Sequence, residues 1–264
     1  MDLDLGGKRV LITGGSRGIG LACARAFLRE GAKVAIVGRS ETNLSAALTT
    51  LAGDFPAADV VSASADLIDA KSAERAVDEV VAALGGIDIL VTSAGGARRT
   101  PFTDLTPQAW RDAMDAKYFS YINVIDPVIK RMGQAGSGAI VNIVGMGGKV
   151  PSPTHLPGGA ANAALMLATA GLANAYGRSG VRVNAVNPSV TRTERLNQGL
   201  EAEAKLAGTT IEEALRKAND RTGPGRLAKP EEIADAVLFL ASARASYISG
   251  AILSIDGATT PLVV

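Results

Sequence analysis

The chain contains one cysteine, Cys23, and one histidine, His155, among its 264 residues. That scarcity excludes a disulfide framework and leaves neither a structural zinc cluster nor the usual Cys/His nucleophile pair within reach. Charge of one sign is also missing: 27 basic against 26 acidic side chains leave a formal +1, with no cationic footprint for a polyanion, so no nucleic-acid partner is expected. The opening residues, Met1 to Lys8, carry acids where a secretory signal needs a basic start followed by an apolar run, and the chain is read as cytoplasmic. Between Lys149 and Arg178 there is no Lys, Arg, Asp or Glu. This stretch holds Pro151, Pro153 and Pro157 and much Ala and Gly instead of dense Leu, Ile and Phe, so it reads as a helix packed inside protein, and no membrane partner is expected.

What is present is enough for a large core. Hydrophobic residues make up 47% of the sequence, and a chain of this length buries roughly three quarters of its unfolded surface without covalent staples. Short β-branched runs at Arg9–Thr13, Lys33–Val37, Val60–Ser64, Ile87–Thr92, Ala139–Val144, Arg182–Val186 and Ala251–Ile255 alternate with helical patterns. The helices are expected at Ile19–Glu30, Glu41–Leu51, Lys71–Leu84, Pro107–Met132, Pro157–Tyr176, Glu194–Asn219 and Pro230–Ala241. Pro107, Pro157 and Pro230 stand where a first helical turn tolerates proline. Strands of continuous apolar character that alternate with helices predict an α/β fold, a parallel sheet with helices on both faces. No repeat or composition break divides the chain, so residues 1–264 are expected to form one domain.

Thr13-Gly-Gly-Ser-Arg-Gly-Ile-Gly20 follows the first strand and opens the first helix. Glycines there permit a tight turn and close approach to a pyrophosphate, while free amides at the helix start supply donors. A glycine motif alone is weak, but strand before and helix after give it the right context. The second strand ends in Gly38-Arg39-Ser40, with no carboxylate to repel a phosphate. Arg39, helped by Arg17, suits a 2′-phosphate, which favours NADP(H) over NAD(H); two solvated surface arginines are the plain alternative.

Further motifs follow in order. Asp66-Leu67 comes after the third strand, Thr92-Ser93-Ala94-Gly95 ends the fourth, and Arg182-Val-Asn-Ala-Val-Asn-Pro188 forms the sixth; Gly225-Arg226, Pro230-Glu-Glu-Ile and Ser254-Ile-Asp-Gly257 come later. Together with the glycine loop they resemble the short-chain dehydrogenase/reductase family over almost the whole chain. The resemblance implies a doubly wound Rossmann sheet of seven parallel strands, a dimer or tetramer, and hydride exchange between a nicotinamide and a small carbonyl or alcohol substrate. It also implies a cofactor site of Gly14, Ser16, Arg17, Gly18, Ile19, Gly20, Arg39, Ser40, Asp66, Leu67, Ser93, Ala94, Gly95, Pro188, Val190 and Thr193, with Thr193 against the nicotinamide carboxamide.

The family's chemistry rests on a Tyr followed four residues later by Lys, so that the ammonium lowers the phenol's pKa from the same helix face, with a Ser before them and an Asn on the preceding helix. The four tyrosines here, at 118, 121, 176 and 247, are followed four positions on by Ile122, Ile125, Gly180 and Ala251. Ungapped alignment puts Gly145 at the serine, Gly158 at the tyrosine, Asn162 at the lysine and Lys117 at the asparagine. Lys and Asn have thus changed places, and His155 falls three residues before the missing phenol. An imidazole exchanges protons near neutral pH, so His155, Lys117 and Asn162 are the candidate catalytic residues. A solvated His155 and a Lys117 reaching to water are the alternative.

Loss of side chains at 145 and 158 is expected to leave room for a bulkier substrate or for one carrying its own acidic group. Asn142, Met146, Lys149, Arg98 and Arg99 lie at the same sheet edge, where substrate contact and a purely structural role both remain open. Residues 192–222 exceed a simple connection, and Thr209-Thr-Ile-Glu-Glu reads as a helix start, so two helices forming a substrate lid are expected there. Ala161, Ala164, Leu165, Ala168 and Leu172 recur at helical spacing and call for a covering second subunit. The reading that follows is an NADP(H)-dependent oxidoreductase with a relocated proton donor. Its alternatives are a catalytically silent dinucleotide- or partner-binding protein and a nonredox use of the same site.

Overall fold

A computed structural model describes residues 2–194 and 196–260. Seven strands form one parallel sheet in the order β3-β2-β1-β4-β5-β6-β7: β1 is Arg9–Thr13, β2 Lys33–Gly38, β3 Val60–Ser64, β4 Ile89–Thr92, β5 Gly138–Ile143, β6 Val181–Pro188 and β7 Ile252–Ile255. The doubly wound α/β architecture expected from the alternating pattern is the one found. Along β1, Val10 and Ile12 face one side with α1 (Gly18–Arg29), α2 (Glu41–Asp54) and α9 (Pro230–Ala241), around Cys23, Phe27, Leu51 and Val237. Leu11 faces the other, with α3 (Ala70–Leu84), α5 (Ser120–Ala135) and α6 (Leu156–Tyr176), around Val77, Leu90, Ile125 and Leu165. Period-two alternation buried on both faces is what the continuous apolar strands required.

The strand order reverses between β1 and β4, where Thr13 pairs with Thr92. A crevice beyond the carboxyl ends of the strands opens at such a point. Buried polar links fix its walls. Thr92 Oγ1 donates to Asn142 Oδ1 (2.7 Å), Asn142 Nδ2 to Thr169 Oγ1 (2.9 Å) and Thr169 Oγ1 to the Leu165 carbonyl (2.8 Å), which ties β4, β5 and α6 together. At the back of β6, the half-buried Arg182 caps the carbonyl end of α9 through Leu240 (2.7 Å), Ala241 and Ser242 (3.0 Å each).

Two expected helices are interrupted. Pro107–Met132 divides into α4 (Pro107–Ala113), a π-helical turn over Met114–Phe119 and α5. Glu194–Asn219 divides into α7 (Leu196–Ala207) and α8 (Ile211–Asp220); Gly208 at φ +64° ends the first, and Thr210 Oγ1 starts the second by accepting from the Glu213 amide (3.2 Å). Arg195, within that expected helix and lid, lies outside the described residues. Among the described residues, α6 is the one helix long and apolar enough to cross a membrane; here its Ala161, Leu165, Thr169 and Ala173 are buried within the fold, which corrects the expectation that Ala161 and Leu165 call for a second subunit, since the chain's own core covers them.

The opposite end of β1 is closed by a fork: Asp88 accepts from Arg9 Nε (2.9 Å), Nη2 (2.5 Å) and the Arg9 backbone amide (2.9 Å). The guanidinium hydrogen bond holds the Asp88 carboxyl below its ordinary range. A depressed folded-state pKa gives stability that is fully present above the unfolded value of about 3.9 and is lost as pH falls through the folded value. Asp88→Asn is therefore expected to lower urea-unfolding stability at pH 7 by about 1 kcal/mol for this partly exposed pair. The difference from wild type should shrink below pH ~4; a difference independent of pH would contradict the assignment.

Candidate active site

The glycine loop closes the crevice between β1 and β4. Thr13 Oγ1 accepts from the amides of Ser93 (3.0 Å) and Ala94 (3.2 Å), which draws the two strand ends together. Gly14, at φ +68°, lies so close that a Cβ would fall 2.8 Å from the Ala94 backbone. Ser16 and Arg17 precede α1, and Gly18, Ile19 and Gly20 form its first turn, where the backbone amides lack intrahelical acceptors. Gly95, at φ +86°, packs against the Ala116 carbonyl so tightly that any side chain would overlap it.

The crevice edge beyond β2 and β3 is equally explicit. Arg39 is exposed just past β2, and Ser40 caps α2 by accepting from the Asn43 amide (3.3 Å). The Asp66 carboxylate accepts from the Ile68 amide (3.2 Å), and Leu67 is buried. Asn123, which the sequence reading did not single out, donates from α5 to the carbonyls of Leu67 (2.9 Å) and Ile68 (3.0 Å) and fixes this loop. At the other end β6 finishes at Pro188, Val190 packs with the α7–α8 cluster, and Thr193 Cγ2 lies 3.4 Å from where a Gly18 Cβ would be. Arg17 reaches Glu194 at 3.7 Å across the same mouth. Turn, helix start and an arginine in place of a carboxylate after β2 together fit a phosphorylated dinucleotide.

The carboxyl end of β5 and the start of α6 carry the second half of the site. Gly158 lies in the first turn of α6, and a Cβ there would overlap Cε1 and Nε2 of His155 and lie 2.8 Å from Nδ1. The imidazole thus occupies the space that a side chain at 158 would enter. This corrects the expectation of extra room at that position: a ring from three residues upstream fills it. On its other side the ring Cδ2 stands 3.1 Å from a Cβ position on Gly147, and Asn162 Nδ2 stands 3.5 Å from that same position. Asn162 Nδ2 is also 3.3 Å from the Cβ position of Gly145. Asn162 is 5% exposed, and its Oδ1 has no hydrogen-bond partner among the described residues. His155, Asn162 and the glycines at 145, 147 and 158 therefore form one cluster.

Lys117 does not reach to water as the alternative reading had it; it is 8% exposed, in the π-helical turn. Its Nζ donates to Tyr121 Oη (2.7 Å) and to the Ile143 carbonyl (2.9 Å), while Tyr121 Oη donates to that carbonyl (2.6 Å). The ammonium also lies 4.3 Å from the Tyr121 ring centroid. A Lys/Tyr pair four residues apart thus exists in reversed order, on the preceding helix. Searching forward from each tyrosine misses it; reading the spacing backward finds it.

The remaining candidates separate clearly. Asn142 is spent on the buried link between β4, β5 and α6, and Met146 lies in a 3-10 turn. Lys149 Nζ is 3.2 Å from Ser254 Oγ, and Arg98 is exposed. Arg99 joins Thr154 to α7. Burial pushes the Cys23 thiol far up, which leaves it inert.

A family model described as enoyl-(acyl carrier protein) reductase matches residues 14–260. D-threitol dehydrogenase of Mycolicibacterium smegmatis is 37% identical over 259 residues, covering 98% of this chain and 95% of that protein. Among solved structures, an NADPH complex of a variant actinorhodin polyketide ketoreductase superposes with a TM-score of 0.93 at 28% identity, over 97% of this chain and 98% of that one. An NADPH-bound short-chain oxidoreductase of Pseudomonas aeruginosa, described as containing an atypical catalytic center, gives 0.88 at 29% identity over 98% and 100% of the two chains. With the family match spanning nearly every element of the sheet and its crevice, this chain belongs to the short-chain dehydrogenase/reductase family of oxidoreductases.

Proposed function

We propose that the protein is an NADP(H)-dependent reductase or dehydrogenase of a small carbonyl or alcohol, and that His155 exchanges the proton of the substrate oxygen. The observation that carries this reading is the imidazole seated on the bare Cα of Gly158, where the family pattern has its phenol. NADPH complexes of the ketoreductase and of the Pseudomonas oxidoreductase support the choice of cofactor.

Arg39 and Arg17 would hold the 2′-phosphate, and the amides opening α1 the pyrophosphate. Asp66 and Leu67 would flank adenine, Ser93, Ala94 and Gly95 the adjoining ribose and phosphates, and Pro188, Val190 and Thr193 the nicotinamide end. Bound there, the cofactor supplies or takes up a hydride. His155 then gives the oxygen its proton in reduction and removes it in oxidation, a task suited to an imidazole. Asn162 offers an amide donor, and a buried oxygen in need of one, beside the imidazole. Lys117 places its amino group on the Ile143 carbonyl, two residues before Gly145, and would stiffen the strand end beside the substrate oxygen. The same reading makes α7 and α8 the lid. It also makes the protein a cytoplasmic homo-oligomer joined through the α5 and α6 faces, where Leu167 is 77% exposed.

His155→Ala is expected to lower kcat by about a hundredfold with a nearly unchanged Kd for NADPH. Gly158→Ala, which must expel the ring, should match it. Lys117→Met should lower kcat less, and that too without loss of NADPH. Assays across a panel of ketones with NADPH fluorescence titration decide: full activity in both His155→Ala and Gly158→Ala, or wild-type protein that binds NADPH and reduces nothing, overturns the reading. Arg39→Ala is expected to weaken NADPH binding about tenfold or more while leaving NADH binding unchanged. Equal weakening of both would remove Arg39 from the phosphate site.

A further inference from the structure

Arg99 lies between the strap that leads into α6 and the helix α7. It follows β4, and its Nη1 donates to Glu203 Oε1 on α7 (3.3 Å) and to Thr154 Oγ1 (3.4 Å). The ion pair is sheltered, with about a third of each side chain exposed (31% and 34%), which sets it apart from a fully solvated surface pair. One helical turn before Glu203, Gly199 lies beside the same side chain: a Cβ there would stand in ordinary contact, 3.4 Å from Arg99 Nε. Thr154 is 2% exposed and immediately precedes His155. Its carbonyl accepts from the Thr100 amide (3.0 Å), and its hydroxyl is 3.2 Å from Ser152 Oγ, while the Ser152 carbonyl accepts from the His155 amide (2.8 Å). The strap that presents the imidazole is therefore pinned from the β4 loop, and the pin is shared with α7.

We propose that Arg99 is a positioning residue that couples the seating of α7 to the placement of His155. With α7 down, Glu203 holds the guanidinium against Thr154 and the imidazole stands on Gly158. With α7 raised, Arg99 loses its counter-ion, Thr154 loses its side-chain tether, and the ring is released from Gly158. The proton donor is thus complete only when α7 is seated on Arg99 through Glu203. The inference rests on the reading in which His155 handles the proton, but it is testable apart from turnover.

His155 is the sole histidine, so histidine-labelled protein without cofactor gives one imidazole Cε1–Hε1 correlation in NMR. Cε1 lies against Gly158, so its shift reports whether the ring is seated. Arg99→Ala and Glu203→Gln are each expected to move that signal in the same direction, with partial return in Arg99→Lys. Glu201→Gln, an exposed site on the same helix, should leave it in place. In assays of the holoenzyme the first two variants should lower kcat about tenfold or more at unchanged KM for NADPH. An unmoved signal in Arg99→Ala and Glu203→Gln overturns the coupling. So does a signal moved by Arg99→Ala alone, which would make the arginine a staple of the loop without reference to α7. A signal moved by both variants with kcat intact upholds the coupling and instead refutes the role of His155 in proton transfer.

Discussion

One steric exclusion organises the candidate active site: a side chain at 158 and the imidazole of His155 cannot occupy the crevice together. Glycine at 158 is thus a requirement of the histidine's position. Gly147 supports the same ring from the other side, where a Cβ would stand 3.1 Å from Cδ2. Close packing of this kind leaves the ring little freedom, and a proton donor benefits from that because its orientation is settled before substrate arrives. Asn162 is held within the same cluster, and its buried Oδ1, without a hydrogen-bond partner among the described residues, is the sort of polar atom that a bound hydroxyl would satisfy.

The scaffold converts distant residues into that cluster. The reversal of strand order between β1 and β4 creates the crevice, and the Thr92–Asn142–Thr169 link fixes α6 against the two central strands, so the first turn of α6 faces the crevice as a rigid part of the sheet. On the other wall, the π-helical turn places Lys117 and Tyr121 on the Ile143 carbonyl. Insertions of this type interrupt regular helices at functional sites, since they re-aim side chains that an unbroken helix would send elsewhere. Lys117 and the cluster of His155 and Asn162 thus flank the end of β5, one from the π-helical turn and the other from the start of α6.

Much of this was legible in the residues. Val10 and Ile12 with Leu11 between them, and Val34 and Ile36 with Ala35 between them, mark strands buried on both faces, and the glycine loop between β1 and α1 marks the crevice, because local sterics and burial decide both. The vacancies at Gly145, Gly158 and Asn162 were visible as departures from a spacing rule. What filled them was less so. A ring returning from His155 to the Cα of Gly158 is a tertiary event, set by how the strap from Pro151 to Thr154 enters α6, and no periodicity encodes it. Lys117 was visible as a residue, but its burial against Tyr121 depends on a π turn that the apolar pattern of Pro107–Met132 does not distinguish from a continuous helix. For Asn142, at a strand end, the sequence left substrate contact and a structural role both open, and its partners Thr92 and Thr169 make it a structural link.

A chain with a single imidazole permits a direct chemical test. Carbethoxylation of His155 by diethyl pyrocarbonate, followed by its ultraviolet absorbance and reversed with hydroxylamine, should abolish turnover in proportion to modification, spare NADPH binding, and restore turnover on reversal. Complete modification of the imidazole with turnover undiminished would contradict the placement of the proton donor at His155.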